Sequence, residues 1–207
     1  MVETLHSGAN PDQARGFLIL LHGRGASPDH IMRVYSRIAL PEIAAYAPGP
    51  PGGVWYPYPF MTPLERNQPD LDQALASIAG LYDELIARGA PPERIAILGF
   101  SQGACLTAEF ALRHPQRYGG VMILTGGYIG PAGQERDDKG SFDATPVFVG
   151  VQDPDPHIPL ARARETANLF ERLGARVDFR RYPGEPHAVN DDEVAACRAL
   201  LEQMVQR

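Results

Sequence analysis

The sequence predicts an α/β fold of the doubly wound type, a mostly parallel sheet flanked by helices on both faces. Three observations predict it. Apolar runs of strand length alternate with longer segments of helical period. The 207 residues suit one domain with a sizeable core, spanning 1–207, better than two small ones. No internal repeat and no low-complexity linker interrupts the pattern.

The first clear strand is 17–22, five apolar residues ending in a His-Gly turn. A helix follows over 28–38, with Ser27 as its cap and Pro28 at its first position. Residues 43–47 form a short strand that runs into a Pro/Gly-rich stretch through Gly53. The aromatic segment 55–61 is expected to be irregular because its prolines oppose helix and strand alike. A long amphipathic helix spans 71–88, with Leu71, Leu75, Ile78, Leu81, Tyr82 and Leu85 on one buried face. Strand 94–99, helix 102–113 and strand 121–125 continue the alternation, and 126–142 reads as loop. Strand 147–151, helix 160–173 ended by Gly174, and strand 177–182 follow. Asn190 caps a last helix through Met204, with Asp191, Asp192 and Glu193 at its positive end.

Composition narrows the function. The net charge is -6 with acids and bases interspersed, which argues against nucleic acid and anionic membrane surfaces as partners. No apolar run approaches the ~20 residues that span a bilayer, and the first eleven residues carry no secretory pattern, so the cytoplasm is the expected location. Cys105 and Cys197 are far apart, each in a helical segment, so neither a disulfide framework nor a cysteine metal site is expected. No clustered ligand spacing points to a metal, and no cofactor is expected. A small molecule is the expected partner, with a monomer or homodimer as the oligomeric state.

The chemistry concentrates at Gly99-Phe100-Ser101-Gln102-Gly103, where a strand meets a helix. A serine at such a sharp turn needs a strained backbone and small residues two positions away on each side; the turn lifts its hydroxyl clear of the sheet at a helix N-terminus. Serine is a weak nucleophile at its free pKa, so a base oriented by a third group must accompany it, in the chain order Ser, acid, His. His187, between the last strand and the last helix, emerges at the carboxyl edge of the sheet and is the expected base. His114 reads as a helix-terminal residue, and His157 lies in the segment expected to supply the acid. That segment, Gln152-Asp153-Pro154-Asp155-Pro156-His157-Ile158-Pro159, offers Asp153 and Asp155, which pattern alone does not separate. Asp137, Asp138 and Asp143 read as solvated loop charges. Finally, the turn Leu21-His22-Gly23-Arg24-Gly25 can aim the Arg24 N–H at a developing oxyanion, with the Gln102 N–H as the second donor. A carboxylate nucleophile, as in dehalogenase chemistry, is excluded by Ser101 at the elbow. A binding protein built on the same fold would have no need of all these groups at once.

Together these residues resemble the phospholipase/carboxylesterase family of α/β-hydrolases, which includes acyl-protein thioesterases. The resemblance covers nearly the whole chain, through Leu21 to Gly25, Trp55, Gly99 to Gly103, Asp155 to Pro159, and His187. It implies the α/β-hydrolase fold and a Ser101–His187–Asp155 triad, since the family's aspartate, proline, two variable residues and proline match Asp155-Pro156-His157-Ile158-Pro159 without a gap. It also implies that Trp55, Tyr56, Phe60 and Met61 line the acyl pocket. The expected activity is cofactor-free hydrolysis of small, short-acyl carboxylic esters through an acyl-enzyme, with acyl thioesters or lysophospholipids as the alternative substrates. The chain departs from the family at Arg24, where many members carry an apolar residue. The backbone donor survives that change, but a guanidinium at the site mouth speaks against long acyl chains.

Overall fold

The computed structural model describes residues 3–184 and 186–206. Met1, Val2, Glu185 and Arg207, which fall within the expected span 1–207 and, for Glu185, within the loop before His187, lie outside the described residues.

Among the described residues the sheet has seven strands: β1 (Glu3–Gly8), β2 (Gly16–Leu21), β3 (Ile43–Gly49), β4 (Ile95–Phe100), β5 (Gly120–Leu124), β6 (Pro146–Asp153) and β7 (Arg176–Pro183). Their order is β1-β3-β2-β4-β5-β6-β7. All neighbours are parallel except β1, which pairs antiparallel with β3 from Glu3 opposite Gly49 to Gly8 opposite Ala44. The α-helices among the described residues are α1 (Pro28–Ile38), α2 (Asp70–Ala87), α3 (Gln102–Arg113) and α4 (Leu160–Arg172), which lie between strands, and α5 (Asp191–Gln206), which follows β7.

Successive strand side chains point to opposite faces, and a parallel sheet buries both. In β2, Leu18 and Leu20 pack with Ile31, Tyr35 and Ile38 of α1 and Leu200, Leu201 and Met204 of α5. Ile19 and Leu21 face the other way, toward Leu71, Leu75 and Ile78 of α2, Ala104 and Ala108 of α3, and Phe170 of α4. The sheet is therefore wrapped on both faces, α1 and α5 on one side and α2, α3 and α4 on the other. The α2 stripe is buried as its spacing requires, with Leu81 half-buried at the edge.

Two local expectations change. Strand β1 is additional: Glu-Thr-Leu-His-Ser-Gly contains one strongly apolar residue, Leu5, and that residue is exposed. A strand at the sheet edge, bonded on one side only, needs no continuous apolar run. Ser27 does occupy the N-cap position of α1, but its hydroxyl makes no capping bond; the His30 N–H instead donates to the Ser27 carbonyl at 3.0 Å. At α5 the expected cap forms as a reciprocal pair. The Glu193 N–H donates to Asn190 Oδ1 at 2.9 Å, and the Asn190 N–H donates to Glu193 Oε2 at 3.0 Å.

Candidate active site

Parallel strands deliver their following loops to one edge, and the loops after β2, β3, β4, β6 and β7 converge there around Ser101. Ser101 links β4 to α3 with φ 55 and ψ -118, a left-handed conformation that a non-glycine residue rarely adopts. The surroundings hold it there. Its N–H donates to the Leu124 carbonyl at 3.0 Å, and its carbonyl accepts from Cys105 N–H at 3.0 Å, opening α3. The flanking glycines are a packing requirement, because a Cβ on Gly99 would collide with the Gly103 carbonyl and one on Gly103 with the Leu21 carbonyl.

The structure brings Ser101, His187 and Asp155 into one hydrogen-bonded chain. Ser101 Oγ lies 2.9 Å from His187 Nε2, and His187 Nδ1 lies 2.7 Å from Asp155 Oδ2. The Asp155 side chain is fully buried, and its Oδ1 accepts the N–H groups of His157 and Ile158, each at 2.8 Å. Burial pushes this carboxyl up, but the bonds from His187, His157 and Ile158 outweigh it and leave the group below its ordinary value. An ionised carboxylate only accepts, so the His187 proton sits on Nδ1 and Nε2 faces the serine hydroxyl as an acceptor. The imidazole is held between Phe100 and the edge of His157, with ring centroids 5.1 and 5.0 Å away. Asp153 is elsewhere. It ends β6 and pairs with Arg181 at 2.5 Å, apart from His187.

The two expected oxyanion donors flank the serine. Gln102 is the first residue of α3, so its N–H has no acceptor within the helix. In the turn after β2, the Gly25 and Ala26 N–H groups donate to the carbonyls of Gly53 and Gly23, while Arg24 N–H has no acceptor among the described residues. The Arg24 guanidinium does not hang free over the mouth. It donates to the carbonyls of Tyr56 at 2.8 Å, Pro57 at 3.0 Å and Tyr58 at 3.2 Å, and so clamps the aromatic loop.

Tyr56, Phe60 and Met61 line the cavity, joined by Cys105 and Ile158. Trp55 is a correction. It is 3% exposed and lies behind the cavity wall, where its indole N–H donates to the His22 carbonyl at 3.0 Å and its ring packs on His22 at 5.1 Å. It braces the turn that carries Arg24. A buried indole needs an acceptor, and the one at hand is that turn. Gln102 completes the brace through its side chain, a role that sequence reasoning missed. Oε1 accepts from Trp55 N–H at 3.1 Å, and Nε2 donates to the Tyr56 carbonyl at 2.9 Å.

A second support, also absent from the sequence reading, lies under the His187 loop. Gln152 Nε2 donates to the Ala188 carbonyl at 3.0 Å and contacts Glu193 Oε2 at 3.3 Å. Glu193 is fully buried, and burial pushes its carboxyl up to about 7. Only the run of three acids in the first turn of α5 hinted at it, and the first two of those are exposed. Across the cavity, buried Arg162 donates to the carbonyls of Tyr128, Gly130 and Pro131 and fixes the loop after β5. The Gly130 N–H ties that loop to Phe60 at 2.8 Å. Among the described residues no group of three or more His, Cys, Asp or Glu side chains is arranged to hold a metal ion, and no helix is long and apolar enough to cross a membrane.

Residues 6–205 match the family model for phospholipase/carboxylesterase proteins. The crystal structure of a phospholipase/carboxylesterase from Dyadobacter fermentans superposes with a TM-score of 0.93 at 39% identity, covering 98% of this chain and 97% of that one. A probable carboxylesterase, SOBER1-like, from Arabidopsis thaliana is 26% identical over 213 residues, which is 93% of this chain and 80% of that protein. Acyl-protein thioesterase 1 of Kluyveromyces lactis is 27% identical over 202 residues, 87% of this chain and 88% of its own length. The chain thus belongs to the phospholipase/carboxylesterase family, has the α/β-hydrolase fold, and is a serine ester hydrolase.

Proposed function

We propose that the protein is a carboxylesterase of small, short-acyl esters in which Ser101 is the nucleophile, His187 the general base and acid, and Asp155 the orienting carboxylate. The observation that carries this reading is the bonded chain from Ser101 Oγ through the His187 ring to Asp155. Ser101 Oγ attacks the ester carbonyl carbon as its proton passes to His187 Nε2, and the carbonyl oxygen becomes an oxyanion facing the N–H groups of Arg24 and Gln102. Each such donor contributes about 2.7–4 kcal/mol in comparable sites. The intermediate then collapses: the bond from carbonyl carbon to alkoxy oxygen breaks, and the His187 proton goes to the departing alcohol. Water, deprotonated by His187, attacks the acyl-serine and releases the acid. Asp155 stays ionised throughout, holding the Nδ1–H tautomer and stabilising the imidazolium.

The acyl group fits against Tyr56, Phe60 and Met61 in a loop whose conformation is fixed from two sides. Arg24 clamps its carbonyls, and buried Asn67 accepts the Tyr58 N–H at 2.8 Å. Thioester hydrolysis follows the same steps with a thiolate leaving group, so one thioester is measured beside the esters. The test is Ser101→Ala on a p-nitrophenyl butyrate assay: a folded variant retaining less than about one percent of wild-type turnover is expected. Turnover above that level by pure, folded variant would overturn the assignment.

A further inference from the structure

The cavity does not end at the aromatic pocket. Its volume is about 1110 Å³, well above the ~300 Å³ that suffices for a small ligand. The remainder runs along α1 and the segment after His187, lined by His30, Arg33, Val34, Arg37, Ala188 and Val189. The departing oxygen takes its proton from His187 Nε2, and the 188–189 segment that follows His187 is bonded to α1, Arg37 donating to the Val189 carbonyl at 2.9 Å. The aromatic loop and Cys105 of α3 line the same cavity.

The charges of this cavity have one sign. Among the described residues no Asp or Glu lines it, although the chain carries 25 acids against 19 Lys and Arg. Three arginines do. Arg24 is saturated by loop carbonyls, and Arg37 is paired with Asp191 at 2.8 Å. Arg33 differs: among the described residues its guanidinium has no hydrogen-bond or ion-pair partner. His30 stands one helical turn before it and lines the same cavity. A planar guanidinium beside an ester site, with no carboxylate on the wall, matches a carboxylate or phosphate on the substrate.

We propose that the alcohol portion of the substrate carries an anionic group that pairs with Arg33, so that the enzyme prefers esters of acidic alcohols. This rests on the esterase reading above. Two p-nitrophenyl butyrates test it, one with a ring carboxylate and one with the neutral carboxamide at the same ring position. The wild type should show the higher kcat/KM on the carboxylate, and Arg33→Gln should lower the carboxylate-to-carboxamide ratio about five- to tenfold. Arg33→Glu should bring the ratio below one, and raising the salt concentration should shrink the wild-type preference. Calorimetric binding of the carboxylated nitrophenol, which needs no turnover, should weaken by a similar factor in Arg33→Gln. A wild-type ratio of one or less, or a ratio and a phenol affinity both unmoved by Arg33→Gln, would overturn the proposal and leave Arg33 as a solvated surface charge. Retained phenol binding at Arg33 with no turnover of either ester by the folded wild type would instead overturn the esterase reading alone.

Discussion

Gln102 is bonded to Trp55 across a sequence separation of 47 residues, its side-chain oxygen accepting the Trp55 N–H at 3.1 Å. The same amide donates to Tyr56, so the residue whose backbone faces the expected oxyanion also anchors the loop that walls the acyl side. Gln102→Ala keeps the backbone donor and removes both bonds, leaving a buried N–H without a partner. It should destabilise the fold by about 2 kcal/mol, a fall in Tm of roughly 4–8 °C. KM on a short ester should rise about three- to tenfold while kcat falls less than about tenfold. A loss in kcat approaching a thousandfold would mean that the side chain itself touches the reacting ester.

Trp55→Phe separates a brace from a pocket residue. It preserves ring packing on His22 but deletes the indole N–H bond to the His22 carbonyl, two residues before Arg24. The Arg24 donor should then be aimed less well, with kcat down about tenfold and KM nearly constant. Chain-length preference should not move. A changed preference across acetyl, butyryl and hexanoyl esters would place Trp55 against substrate after all.

How far the sequence was readable depended on how local each signal is. The strand and helix order from β2 to α5 shows in apolar period, and the nucleophile elbow shows in five consecutive residues, because both are set by near neighbours along the chain. His187 was legible from its place after the last long apolar strand. Asp155 was not separable from Asp153 by pattern, and only the likeness to a family favoured it; the geometry now differs by partner, His187 for one and Arg181 for the other. Trp55, the Gln102 side chain, Glu193 and Arg33 depend on which loops meet at the sheet edge. Trp55 meets Gln102, and Gln152 meets Glu193, across tens of residues, and Arg33 reaches the site only through the packing of α1 beside the His187 segment; no local period records that.

Short acyl chains should be preferred. The loop between β3 and α2 is the modest cover over the acyl side, pinned by Arg24 and Asn67 rather than hinged as a lid. A chain that extends beyond Phe60 and Met61 gains little, because each methylene contributes about 0.8 kcal/mol only when removed from water. With butyryl and palmitoyl p-nitrophenyl esters kept below micelle concentrations, kcat/KM should favour butyryl by at least about tenfold. The reverse order would show that the loop opens.

Asp155→Asn should cost far more than Asp153→Asn. The buried Asp155 carboxylate is the acceptor that fixes the His187 tautomer, and the amide substitution is nearly isosteric, so packing survives while the charge is lost. The corresponding substitution in a serine protease triad lowers kcat by about 10⁴, and a loss of several orders of magnitude is expected here. Asp153→Asn breaks a partly exposed pair with Arg181 and should change kcat less than about tenfold. Thermal melts of both variants confirm folding. A large loss at Asp153 with little at Asp155 would move the acid two residues earlier.

The last expectation concerns pH and Glu193. Its carboxyl is buried under the His187 loop, its pKa pushed up to about 7 from an ordinary 4.5 by desolvation, against the bonds from Asn190 and Gln152. One oxygen, Oε1, is buried without a hydrogen-bond partner among the described residues, which suits a neutral acid better than a carboxylate. Between pH 4.5 and about 7 the folded state therefore binds a proton that the unfolded state has released. The stability this contributes is complete below pH 4.5 and is lost as pH rises through about 7. Glu193→Gln keeps an acceptor for the Asn190 N–H and the Gln152 amide and cannot ionise. The variant should match wild type near pH 4.5 and exceed it above pH 7, by up to about 3 kcal/mol. Taking the difference between the two proteins cancels the opposite trend of Asp155 and Asp192, whose pKa values are lowered and whose contributions are lost as pH falls. Urea midpoints of both proteins from acid to mildly alkaline pH measure it. A difference that stays constant with pH would mean that Glu193 is ionised in the fold, and that Gln152 and Asn190 alone hold its charge beneath the His187 loop.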